Sequence, residues 1–342
     1  MADGDLYEPR TIAESVTPAT ATLASIADAH RLMICIGAGF SMAAPTFLPA
    51  GKKLANEVHA RLAAKLPHVP ECDPDNLVSV ADAVEPLETG SDLIRRTCLE
   101  AADFLTAAPN HAHKLLALLL LEGEVSAMSW NWDNCIERCG RGEELLTIIR
   151  DEDRIYAQGS PLLKLHGCAN HPTTMLVSTS DLDEPRPWVD AELAGRLADS
   201  VVVFVGVGDV VGYTKRRVSE IKETLGNPDH IFVVSPGIVD GWESSAWAEV
   251  LDGLPADNRI ADTAEAFLES LAASMIMGLL LKVCDSAGEY GPLKAGANAV
   301  KRAVEDSAPH LVLSLGRFSR VRAKPGFRNV SRGMRQLLMR IG

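Results

Sequence analysis

The chain has 342 residues, 47% hydrophobic and 23% charged, which supplies a core and excludes general disorder. Its net charge of −13 argues against a nucleic-acid-binding body, yet from residue 301 onward ten Lys/Arg stand against two Asp/Glu, so the chain ends in a basic segment. No apolar run approaches the roughly 20 residues needed to span a bilayer; the polar start MADGDLYEPR reads as neither signal nor transit peptide, and seven cysteines without disulfide-type spacing fit a reducing cytoplasm.

Residues 1–19 read as a flexible lead-in, 20–272 as one domain, and 273–342 as a helical, basic C-terminal segment. A helix is predicted over the Ala-rich stretch 20–30, then a buried strand at 32–36 (LMICI) ended by glycine. Helices follow at 52–66, 92–108 and 113–121. A short strand is predicted at 125–129, a helix from about 133, and another strand ending at 164–165. The runs 201–205 (VVVFV) and 231–234 (IFVV) read as buried strands, and 261–283 as largely helical. Apolar runs that are continuous instead of alternating, with helices between them, predict an α/β fold: a Rossmann-like, mostly parallel sheet covered by helices on both faces, plus a helical C-terminal appendage.

The turn Gly37-Ala38-Gly39-Phe40-Ser41 between strand and helix is the most informative local segment. Such a turn lets backbone amides approach a pyrophosphate at a helix end. The third glycine of the usual dinucleotide fingerprint is replaced by Met42, and no acidic residue ends a second strand about 20 residues on, which disfavours a plain dehydrogenase. Taken alone, the segment also admits a tight strand–helix turn without ligand. Ser41, Asp133 and His166 also follow the chain order of an α/β-hydrolase triad, but an elbow so early in the chain does not suit that fold.

Two further polar groups follow strands: Trp130-Asn131-Trp132-Asp133-Asn134, and His166-Gly167. Side chains at the carboxyl ends of parallel strands face the crevice where ligands bind. Taken singly, Asp133 reads as a helix N-cap and His166 equally as a hydrogen-bonded core histidine.

Together, GAGFS (37–41), PNHAH (109–113), SWNWDNCIE (129–137), KLHG (164–167), VVVFVGVGD (201–209) and VVSPG (233–237) occur in the order of the sirtuin superfamily. Over about residues 20–272 the chain resembles the divergent bacterial sirtuin-like domains of antiphage defence systems. The resemblance implies NAD as substrate. Gly37, Ala38, Gly39 and Ser41 would cradle its phosphates, and Asn131 and Asp133 would line the nicotinamide and ribose pocket. His166 would be the catalytic base, with Asn131 orienting a water or the carboxamide. Gly206 and Asp209 would lie near the adenosine side, and Ser235 would face the adenine ribose. The implied activity is NAD hydrolysis to nicotinamide and ADP-ribose.

The chain departs from the protein-deacylating sirtuins. Residues 44–50 read APTFLPA, without the Phe-Arg pair of those enzymes, and Trp130 stands where they usually place Gln. Their four-cysteine zinc module is absent, so no zinc is expected. Cys135, Cys139, Cys168 and His171 offer ligand types, but the first two lie one turn apart on a predicted helix, where buried thiols are common. Deacylation and non-catalytic sensing of NAD or ADP-ribose stay as alternatives. The Arg-rich end, 317–342, reads as a solvated helix, a homo-oligomer contact, or a docking surface for a regulatory partner protein or nucleic acid. No membrane association is expected.

Overall fold

The structure is a computed structural model that describes residues 10–28, 31–121, 123, 125–140, 145–155, 160–208, 212–288, 294–310 and 312. Among these, seven strands form one sheet: β1 (Leu32–Ile36), β2 (Ser126–Ser129), β3 (Thr147–Ile148), β4 (Leu162–Lys164), β5 (Val201–Val205), β6 (Ile231–Val234) and β7 (Arg259–Ile260). Every pair is parallel, in the order β3-β4-β2-β1-β5-β6-β7. β1, β5 and β6 are buried along their whole length, which is why their sequences are apolar at every position.

The two-residue period of a strand divides β1 between two cores. Leu32, Ile34 and Ile36 pack with Leu23, Leu115, Phe267 and Leu271, from the helices Pro18–Asp28, His111–Leu121 and Ala264–Gly288. Met33 and Cys35 pack on the opposite face with Leu193, Val218 and Trp247, from the helices Pro187–Leu197, Gly212–Leu225 and Ala246–Val250. The α/β fold with helices on both faces is therefore present as expected.

A third core joins the helices Gly51–Lys65, Leu77–Val84 and Gly90–Ala101 through Val58, Val80 and Ile94. Trp132, Ala169 and Met175, which follow the ends of β2 and β4, belong to it. This helical lobe therefore stands over the carboxyl edge of the sheet. The predicted helix 92–108 stops at Ala101 because Ala102 is extended.

Residues 10–19, expected as lead-in, include a capped turn of helix, Ile12–Ser15. Ile12 is buried and donates its N–H to Ser307 O at 2.9 Å. Thr20 Oγ1 lies 2.8 Å from Ser270 Oγ and 2.9 Å from Ser274 Oγ. Helix Ala264–Gly288 runs unbroken through residue 272, and Lys294–Glu305 follows it. The Arg-rich segment 317–342 lies outside the described residues. Among the described residues, no helix is long and apolar enough to cross a membrane.

From β1 the chain proceeds to β2, β3 and β4 on one side, then crosses to β5 on the other. The direction of winding reverses between β1 and β5. In a parallel sheet, that reversal opens a crevice at the carboxyl ends of the two strands.

Candidate functional site

After β1 the chain passes through Gly37 into a 3-10 turn, Ala38–Ser41. The glycines are dictated by a neighbouring loop. A Cβ on Gly37 would lie 2.8 Å from Val207 Cα, and one on Gly39 2.8 Å from Gly206 O. Gly206 follows β5 with φ +62°, and a Cβ there would meet Phe40 N at 2.5 Å. Gly37 N–H donates to Val205 O (3.2 Å) and Gly39 N–H to Gly206 O (2.7 Å). The expected phosphate cradle is thus also the place where the ends of β1 and β5 lock together. These two amides would have to leave their carbonyls to meet a phosphate.

Ser41 is the centre of a buried hydrogen-bond cluster. Asn110 N–H donates to His113 Nδ1 at 3.2 Å. This fixes the tautomer: the neutral ring carries its proton on Nε2. That proton points to Ser41 Oγ at 3.1 Å. Asn131 Nδ2 donates to the same oxygen at 3.2 Å, and Ser41 in turn donates to Asp133 Oδ2 at 2.9 Å. The hydroxyl accepts two bonds and donates one, which fills its capacity. Asn110 Nδ2 donates to Phe40 O at 2.9 Å and ties the cluster to the turn. Burial lowers the His113 pKa from 6.5 to about 4, outweighing the opposing pull of Asp133, with Lys164 also lowering it.

A protonated Nε2 cannot take the serine proton, and His166 is not among the partners of Ser41. The cluster is therefore a clamp and not a nucleophile–base pair. His113 and Asn110 carry site geometry that the sequence reading treats only as a supporting segment. The available signal is their three-residue spacing, which lets Asn110 Oδ1 accept from His113 N–H (3.0 Å) at the start of helix His111–Leu121.

Asn131 follows β2 between two anchored tryptophans. Trp130 is buried in the sheet core against Phe204, and Trp132 packs in the helical lobe against Phe104. Asn131 therefore sits where sheet and lobe meet, half-buried, with Nδ2 also donating to Gly37 O at 2.9 Å. Asp133 Oδ1 accepts from Cys135 N–H at 3.1 Å. With Oδ2 held by Ser41, its carboxylate is engaged on both oxygens.

β4 delivers Lys164 and then His166. Lys164 is 2% exposed, donates to Asp133 O, and lies 3.4 Å from Glu137 Oε1. Burial opposes its charge, but Glu137, Cys168 and Asp133 together outweigh that and raise its pKa. No signal in KLHG beyond a charge inside an apolar run marks this ammonium. His166 lies on the neighbouring strand end to Asn131, and its carbonyl accepts from Trp132 Nε1 at 3.0 Å. Gly167 has φ +80°, and Thr174 O would lie 2.0 Å from a Cβ there, so the turn after His166 demands glycine. His166 Nε2 is buried and has no hydrogen-bond partner among the described residues. Burial, then Arg186 and Arg217, lower its pKa from 6.5 to about 3.

The remaining expected residues are placed apart. Ser235 follows β6, two strands from β1, and bonds locally to Ile260 O through its N–H. Asp209 lies outside the described residues. Cys135, Cys139, Cys168 and His171 do not gather as a ligand set among the described residues. The ligand atoms that do lie within 4.8 Å of one another are those of His113, Asp133 and Cys135. Both His113 nitrogens and both Asp133 oxygens are already in the hydrogen bonds described above, so this group is read as a bonded core.

Residues 125–250, the stretch from β2 through β6 that carries Asn131 and His166, match the family described as the SIR2-like domain. That stretch of the chain is similar to a SIR2-like domain. Among solved structures, a Sir2 homologue described as its NAD complex is similar at 15% identity, over 75% of this chain and 94% of that chain, with a TM-score of 0.43. No curated protein matches the sequence. The SIR2-like assignment rests on the domain match. Gly37, Ser41, Asn131 and Asp133 are linked by hydrogen bonds through Asn131 and the Ser41 hydroxyl, and His166 follows the strand adjacent to β2, outside that network.

Proposed function

We propose that this SIR2-like domain binds NAD as substrate and hydrolyses its nicotinamide–ribose bond to nicotinamide and ADP-ribose. The observation that carries the reading is His166 Nε2: a buried ring nitrogen without a partner among the described residues, one strand end from Asn131, at the carboxyl edge of a parallel sheet. A buried polar atom left unpaired calls for a partner, and a bound substrate can supply one.

The leaving nicotinamide is already cationic, so its departure needs no acid, and the transition state resembles an oxocarbenium ion. What the chain must supply is position, exclusion of bulk water and a proton acceptor. His166 is neutral at pH 7, the form that accepts a proton from a ribose hydroxyl or the attacking water. Asn131, held through Nδ2 by Gly37 O and Ser41, presents its carbonyl oxygen to a water or the carboxamide. Asp133 acts on the nicotinamide side through Ser41 and Asn131. Gly37, Ala38, Gly39 and Ser41 would serve the pyrophosphate, with Gly206 and Asp209 on the adenosine side and Ser235 toward the adenine ribose. Depletion of cellular NAD in antiphage defence is the setting that the resemblance implies.

The test is NAD consumption by the purified chain with products resolved, in the wild type, Asn131→Ala and His166→Ala. We expect both variants to lose at least about 100-fold in rate, the usual weight of a general base. Unchanged NAD cleavage in both overturns the assignment. Turnover only with an acetylated peptide favours deacylation, and NAD binding without turnover under either condition favours a sensor.

A further inference from the structure

Three residues outside the proposed chemistry surround His166. The Tyr213 ring centroid lies 4.9 Å from that of His166, with the planes tilted by 54°. Its phenolic oxygen accepts from Arg186 Nη2 at 2.7 Å and from Arg217 Nε at 2.9 Å. Arg186 also donates Nη1 to the carbonyl of Leu165, immediately before His166. One guanidinium therefore grips both the backbone and the aromatic neighbour of the imidazole.

The two arginines differ in how their charge is balanced. Arg217 Nη1 faces Asp190 at 2.9 Å and Glu220 at 2.7 Å. Arg186 makes no ion pair among the described residues, and its Nε is buried without a partner. These arginines are the charged groups that act on the imidazole, and both act against its protonation, in the same direction as burial. On its other sides His166 meets neutral groups: Trp132 Nε1 and Leu176 N–H at its carbonyl, and the Tyr213 ring. A guanidinium with no direct ion pair, balanced only at a distance by Asp190, raises the energy of a second positive charge beside it in a low-dielectric space.

We propose that Arg186 is a positioning residue for His166: its bonds to Tyr213 and to the Leu165 carbonyl fix the ring with Nε2 open, and its cation adds to burial in opposing a second positive charge there. The part that concerns turnover rests on His166 being the base for NAD cleavage. The coupling itself does not.

The experiment is an NMR titration of the His166 imidazole in isotope-labelled wild type, Arg186→Gln and Arg186→Lys, beside the pH–rate profile for NAD loss. Glutamine keeps hydrogen bonding without charge, and lysine keeps charge without the fork. We expect the His166 midpoint to rise by about one pH unit in the glutamine variant and to stay near the wild-type value in the lysine variant. The acid limb of the rate profile moves up with it. A merely structural role would move both variants alike. An unmoved midpoint in a folded Arg186→Gln protein overturns the proposal. If that variant does not fold, Arg186→Met removes the same charge, and an unmoved midpoint in it is equally decisive. Because the titration needs no turnover, a shifted midpoint in a chain that does not cleave NAD supports the coupling while rejecting the proposed reaction.

Discussion

Ser41→Ala separates a clamp from a reacting group. The hydroxyl gives Asp133 Oδ2 a hydrogen bond at 2.9 Å and receives the His113 Nε2 proton at 3.1 Å. Asp133 is 5% exposed and His113 fully buried, so water cannot replace the lost partner freely. A hydrogen bond to a charged group contributes about 1.5–3 kcal/mol, and a buried donor left unpaired costs about 1–3 kcal/mol. Asn131 keeps its bond to Gly37 O, so its share is small. The sum is a loss of about 2.5–6 kcal/mol from a stability that is typically about 5–15 kcal/mol. Urea unfolding followed by circular dichroism measures it, with NAD turnover recorded on the fraction that is folded. A variant as stable as the wild type within about 0.5 kcal/mol, the ordinary scatter of neutral substitutions, refutes the clamp. Lost turnover in such a variant would make Ser41 a reacting group.

Other consequences follow from the same geometry. His113 has a folded-state pKa of about 4 against an ordinary 6.5, so the unfolded chain takes up the proton first as pH falls. Stability from this group is complete above pH 6.5 and declines by about 3 kcal/mol as pH falls toward 4. Unfolding midpoints across that range measure the slope, and His113→Gln flattens it. Gly206→Ala forces a Cβ to 2.5 Å from Phe40 N at φ +62° and costs at least about 2 kcal/mol, visible as a lowered Tm with reduced NAD binding. Lys164→Met leaves Glu137 half-buried without its cation and costs about 3–5 kcal/mol. The double variant with Glu137→Leu recovers much of that loss in a thermal-shift cycle, and no recovery would mean that Lys164 acts chiefly through Asp133 O.

The sheet is legible in the sequence where burial on both faces leaves an uninterrupted apolar run, as at Leu32–Ile36, Val201–Val205 and Ile231–Val234. β3 and β7 are two residues each, too short to leave a periodic signature, and pairing at the sheet edges creates them. Asn131, Asp133 and His166 stand out because polar residues directly after buried strands have few reasons to be there. Arg186 and Tyr213 carry no such mark, since they reach His166 from the residue that precedes helix Pro187–Leu197 and from helix Gly212–Leu225, each at least 20 residues along the chain. The glycine turn shows the limit in another way. Its residues are plain in the sequence, but the object pressed against them, the backbone at Gly206, is set by the crossing from β4 to β5.

That contact constrains how the protein can change over generations. A tight fit between a large and a small side chain can be exchanged, one residue growing as the other shrinks. Gly37, Gly39 and Gly206 allow no such trade, because no residue is smaller than glycine and the opposing atoms are backbone. A single substitution at any of the three positions meets backbone that no neighbouring side chain can vacate. New ligand preference in descendants of this chain would have to arise at the rim, in the exposed Met42 and Phe47 beyond the turn or in the helical lobe, while the seam itself stays as it is.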